Sequence, residues 1–137
     1  MARILAIDYG KKRTGLAVTD VLQLVPGALD TIDTKQLMTY LKAYVEKEPV
    51  ERVIIGEPRQ PNGQPSENLQ RVLQFKAEWK KRFPNIPIEG YDERFTSVLA
   101  HRTMLDAGLH KKARQDKALV DRISATIILQ DYLSSRR

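Results

Sequence analysis

A handful of carboxylates in this 137-residue chain fall where the surrounding pattern either offers an acid to a shared site or makes it costly to bury. Asp8 ends the apolar run RILAID and precedes the turn Tyr9-Gly10, which puts an acid at the carboxyl end of a strand, where open α/β sheets hold their ligands. An Asp at that point can equally cap its own turn. Asp121 lies in a helical pattern whose same-face neighbours are Ala118, Ala125 and Ile128, with Tyr132 another turn on. A carboxylate directed at the core side of a helix is costly unless it is paired, hydrogen-bonded or bound to a cation. Arg94 and Arg122 are the partners to consider if Asp121 is a plain ion pair. Asp92 and Glu93 leave another strand side by side, so strand alternation sends them to opposite faces; Glu93 is the better candidate for a shared site. The other of the two fits a salt bridge or a helix start near Thr96 and Ser97. Glu57 also ends a buried strand, although Pro58 and the neutral loop around Asn62-Gly63 do not single it out.

Oxygen donors from separate elements, in a chain with no cysteine and two histidines, make a hard site suited to Mg²⁺ or Mn²⁺. In a basic protein, 23 Lys+Arg against 17 Asp+Glu, such a site points to phosphodiester chemistry on nucleic acid. Two divalent ions can activate a water and stabilise the leaving 3′ oxygen in an in-line hydrolysis, so neither a histidine base nor a covalent nucleophile is needed. Lys11, Lys12, Arg13 and Arg94 are the cations expected near the phosphates; the first three could instead form a solvated hairpin tip. His101 and His110 read as packing or surface residues. The missing cysteines exclude a disulfide framework, a thiolate metal site and a cysteine nucleophile. No apolar run approaches the roughly 20 residues of a membrane helix, so the expectation is a cytoplasmic protein without a membrane partner.

The elements that must position these side chains follow from periodicity. Arg3 to Asp8 and Arg52 to Gly56 are continuous apolar runs of the kind covered on both faces. Thr14 to Thr19 is close enough to the first run to be its hairpin partner, and a third strand falls between Leu24 and Ile32, interrupted by Pro26-Gly27. Leu37, Tyr40, Leu41, Tyr44 and Val45 recur at helical spacing from Thr34 to about Glu48, where Pro49 stops the pattern. A second helix starts near Ser66 and carries Leu69, Val72, Leu73, Phe75, Trp79 and Phe83. Ile86 to Gly90 is a last strand, followed by helices at Ser97 to Ala107 and Asp116 to Leu133. Hairpin-linked strands followed by strands alternating with helices predict a mixed sheet with helices on its faces, in one domain.

Four stretches, AIDYGKKRTGLAVTD (6–20), VIIGEPRQPNG (53–63), YDERFTS (91–97) and VDRISATIILQDYL (120–133), together resemble the YqgF family, also called RuvX, of RNase H-like nucleases. The resemblance spans essentially residues 1–137 and implies an α/β, RNase H-like five-stranded sheet in the order 3-2-1-4-5. It implies a metal-dependent acidic triad, with Asp8, Glu93 (or its neighbour Asp92) and Asp121 in the catalytic and metal-binding positions. Glu57 stands where the family often has an uncharged residue and takes no catalytic role from it. The activity implied is endonucleolytic maturation of the 5′ end of pre-16S ribosomal RNA, by a monomer or homodimer. The alternatives are a resolvase of branched DNA, which family members also resemble, and a nucleic-acid-binding module that cuts nothing. An ATP-binding reading through Asp8-Tyr9-Gly10 ranks last, because the chain is too short for a two-lobed ATPase.

Overall fold

Four consecutive apolar residues, Ile4 to Ile7, have no exposed surface, and the strand they form, β1 (Arg3–Asp8), is the centre of the sheet. The computed structural model describes residues 2–57, 68–92 and 117–135, so the helix expected at Ser97 to Ala107 lies outside the described residues. β2 (Arg13–Thr19) and β3 (Pro26–Asp33) extend the sheet antiparallel on one side of β1. β4 (Val50–Glu57) and β5 (Ile88–Asp92) extend it parallel on the other, giving the order β3-β2-β1-β4-β5. That is the strand order the family resemblance implies.

The helices are α1 (Leu37–Lys47), entered through a 3₁₀ turn at Thr34–Gln36, α2 (Leu69–Arg82) and α3 (Lys117–Ser135). Strand alternation sorts the core into two layers. Leu5, Ile7, Leu16, Val53, Ile55 and Ile88 pack with Leu37 and Leu41 of α1 and Val72, Phe75 and Trp79 of α2. Ile4, Ala6, Ala17 and Ile54 meet Ala125, Ile128, Leu129, Tyr132 and Leu133 of α3 on the opposite face. Arg52 fixes the carboxyl end of α3 over the start of β4 by donating from Nη1 to the Tyr132 hydroxyl (2.8 Å) and to Glu89 Oε1 (2.7 Å). Leu73 departs from the expected apolar stripe: the buried row of α2 runs Leu69, Val72, Phe75, Trp79, and Leu73 is 45% exposed beside it.

Two features of this framework are open to measurement. Trp79 is fully buried, donates from Nε1 to Ile86 O (2.8 Å) and has its ring 4.3 Å from that of Phe83. Trp79→Ala should cost about 3–5 kcal/mol of unfolding free energy, read by urea denaturation followed by far-ultraviolet circular dichroism because this is the only tryptophan. In the β2–β3 loop, Asp20 Oδ1 accepts from the backbone N–H groups of Leu24 (2.8 Å) and Val25 (3.0 Å). These bonds, that from Val25 first, hold the Asp20 carboxyl below its ordinary value. A depressed carboxylate contributes stability above its unfolded pKa and loses it as pH falls through the folded one. An NMR titration should therefore show Asp20 protonating in stronger acid than an aspartate in an unfolded chain, with the Leu24 and Val25 amide shifts moving at the same pH.

Candidate active site

The three parallel strands end together. Ile7 lies opposite Ile55, Ile55 opposite Gly90 and Glu57 opposite Asp92, so Asp8, Glu57 and Asp92 share the carboxyl edge of the sheet. Asp8, half-buried, has the parity of Ile4 and Ala6 and belongs to the α3 face. Glu57 has the parity of Val53 and Ile55 and belongs to the α2 face, where Lys76 Nζ donates to its Oε1 at 2.9 Å. The bare Cα of Gly90 leaves room for that carboxylate, since a Cβ there would collide with it.

The turn after Asp8 is tied at three of its carbonyls. Asn68 Nδ2 donates to Tyr9 O (2.6 Å), the Thr34 hydroxyl to Gly10 O (2.7 Å) and the Thr34 N–H to Lys12 O (2.9 Å). The Thr34 hydroxyl also lies 2.9 Å from that of the buried Thr14. A Cβ at Gly10 would run into the Arg13 carbonyl, so the turn requires glycine at this point. Tyr9, with the parity of Ile7, places its ring 5.5 Å from that of Phe75. Lys11 and Lys12 stand exposed on this clamped turn, and Arg13, half-buried, opens β2.

Of the other site residues read from the sequence, Asp92 is the last residue of β5 and Asp121 lies in α3 one turn before Ala125; their side chains are outside the described residues, as are Glu93 and Arg94 altogether. Among the described residues no three carboxylate or histidine side chains group to hold a metal ion. Sequence reasoning missed the roles of Thr34 and Asn68. Thr34 reads as the start of a helix, and the only hint of another use is a hydroxyl placed just after a strand, where side chains commonly bond to nearby backbone.

With this geometry in hand, comparison with known proteins is informative. A protein of Phocaeicola vulgatus is 62% identical over 137 residues, covering 100% of this chain and 99% of that one, and is named "Putative pre-16S rRNA nuclease". Relatives of the same name occur in Bacteroides thetaiotaomicron (62% identical) and Flavobacterium johnsoniae (56% identical), each covering 100% of this chain and 99% of the relative. Among solved structures, T. thermophilus RuvC in complex with Holliday junction substrate is 15% identical, covers 99% of this chain and 96% of its own, and superposes with a TM-score of 0.62, a likeness of fold. The RuvX family model, described as Holliday junction resolvase, matches residues 2–135. The central strand ending in Asp8, the sheet order built around it and a match from one end of the chain to the other agree: this chain belongs to the RuvX family.

Proposed function

We propose that the protein is a divalent-metal-dependent endonuclease acting in the cytoplasm on a structured precursor of 16S ribosomal RNA, near its 5′ end. The observation that carries this reading is Asp8, half-buried at the carboxyl edge of a doubly covered strand and followed by a clamped turn bearing Lys11, Lys12 and Arg13. The names of relatives at 62% identity supply the RNA substrate. Among the described residues no helix is long and apolar enough to cross a membrane.

The donor set fits a hard cation: oxygen-bearing carboxylates in a chain without cysteine. Asp8, Asp121 and Glu93, or its neighbour Asp92 in place of Glu93, would hold Mg²⁺ or Mn²⁺. When bound, such ions supply activation of a water and stabilisation of the leaving 3′ oxygen. Two arguments support this set. From its anchor at Tyr132 over Arg52, a helix laid back along the sheet reaches Asp121 after about 16 Å, and β4 needs about 13 Å from Arg52 to come level with Asp8. β5 carries Ile88 on the α1/α2 face and Tyr91 on the α3 face, and in the sequence Glu93 is the favoured one of the two neighbouring acids for the shared site. The chain's own cations, Lys11, Lys12, Arg13 and Arg94, hold the substrate by its phosphates and make binding salt-dependent.

The family description favours a second substrate, branched DNA, and a four-way junction calls for a symmetric dimer. Purified protein is therefore assayed on a precursor rRNA fragment and on junction DNA in parallel, with Mg²⁺, with Mn²⁺ and with chelator. Cleavage of the RNA should require the metal, and Asp8→Asn and Asp121→Asn should each lower kcat at least about 100-fold, since even partners one shell out from a metal cost 10–100-fold. Calorimetry on the same proteins should show Mn²⁺ binding that the variants lose. A wild-type rate in Asp8→Asn would overturn the mechanism, and metal binding without cleavage of either substrate would leave a binding module.

The turn clamp gives a separate outcome. Thr34→Val removes the hydroxyl that meets Gly10 O and Thr14, at a cost of about 1–2 kcal/mol. Thr34→Val should raise KM with little change in kcat, and Thr34→Ser should restore it; parallel losses of kcat in both variants would refute a positioning role.

A further inference from the structure

The clamped turn has a second side. On the α1/α2 face a cavity of about 500 Å³ opens between the turn and α2, walled by Lys11 from the turn, Lys35 from the 3₁₀ turn and Arg71 from α2. The rings of Tyr9 and Phe75 form its floor. The acid on its rim, Glu78, already accepts from Arg82 Nε at 2.7 Å. An adjoining hollow of about 340 Å³ shares Lys11 and Lys35 and adds Lys12 and Asp33, so the basic surface continues back to the turn that follows Asp8. Among the described residues no carboxylate is bridged to Lys11, Lys35 or Arg71.

Three cations brought to one hollow by three different elements repel one another, and a polyanion is the ligand that turns this repulsion into binding. Aromatic faces beside cations are the combination that holds unpaired bases and their phosphates. The cavity is in the size range of a small-ligand site, which suits a nucleotide unit of a single strand. We propose that this groove is a subsite for a single strand leaving the cleavage edge, with Lys35 and Arg71 holding its phosphates and Tyr9 stacking an unpaired base. The proposal rests on the nuclease reading and adds to it a specificity for substrates with an unpaired extension next to the cut.

The test uses the full chain carrying Asp8→Asn, and fluorescence anisotropy of two labelled RNA hairpins, one blunt and one with a single-stranded tail. Adding Lys35→Ala and Arg71→Ala should weaken binding of the tailed hairpin at least tenfold and leave the blunt one within twofold. The salt dependence of log K for the tailed hairpin should become shallower by about 1.4, as two lost single-strand phosphate contacts require. Glu78→Gln should tighten the tailed hairpin. In the cutting-competent protein, the Lys35 and Arg71 substitutions should raise KM for the tailed substrate with kcat unchanged, and the circular-dichroism melting temperature should stay at the wild-type value. Equal losses on both hairpins, or no loss on the tailed one, overturn the inference. Cleavage by Asp8→Asn at the wild-type rate would instead sink the nuclease reading, whatever the groove binds.

Discussion

β1 is buried on both faces, and the rest of the molecule follows from that constraint. A strand with no exposed surface from Ile4 to Ile7 tolerates charge only at its two ends, and each end carries one. At the amino end, Arg3 donates from Nη1 to Thr19 O (2.9 Å) and from Nε to Glu48 (3.3 Å), joining β1 to β2 and to the residue that ends α1. At the carboxyl end stands Asp8, at the edge where β4 and β5 also finish. Alternation then decides which layer each edge residue meets: Ile4, Ala6 and Asp8 go with α3, and Leu5, Ile7 and Tyr9 with α1 and α2.

A loop that bears cations next to an acid would ordinarily wander with its side chains. Here the backbone is pinned instead. Thr34 and Asn68, which flank α1 and α2, take up the carbonyls of Tyr9, Gly10 and Lys12, so the core that positions the helices also positions the turn. Lys11 stands exposed on that fixed base and lines both the groove with Lys35 and Arg71 and the adjoining hollow with Lys12 and Asp33. Freezing the backbone while leaving the charged ends free limits what substrate binding must order.

Side-chain periodicity placed most of the strands and helices and the family resemblance supplied the strand order; the errors in element bounds trace to backbone bonds that periodicity does not record. β4 begins at Val50 rather than Arg52 because Val50 pairs with Arg3, and Arg3 N donates to Pro49 O (2.7 Å). β5 begins at Ile88 rather than Ile86 because Ile86 is spent on the preceding turn, its N–H on Phe83 O (3.1 Å) and its carbonyl on the Trp79 indole; Pro87 has no N–H to give. α1 begins at Leu37 rather than Thr34 because Thr34 belongs to the clamp. Asp8 could be found from sequence because an acid closing an apolar run breaks the pattern. Thr34, Asn68, Lys35 and Arg71 break none: each is an ordinary polar residue at the end or on the surface of a helix, and they converge only through the tertiary fold.

Glu57 shows why a position at the end of a buried strand is not enough to define a site residue. It lies as near the carboxyl edge as Asp8, yet its parity turns it toward α2, and there Lys76 meets it with both side chains largely shielded, 18% and 17% exposed. At that burial a carboxylate is costly without a matching cation, and a lysine one helix away supplies it. Gly90 completes the arrangement by leaving the space over β5 that the Glu57 side chain occupies. The sheet thus separates the acids of its edge by face: one face brings its own lysine, and the other, on the proposed reading, collects acids from β1, from the chain that follows β5 and from α3. Only the second arrangement accumulates negative charge from distant parts of the chain, and a divalent cation is what such an accumulation is suited to bind.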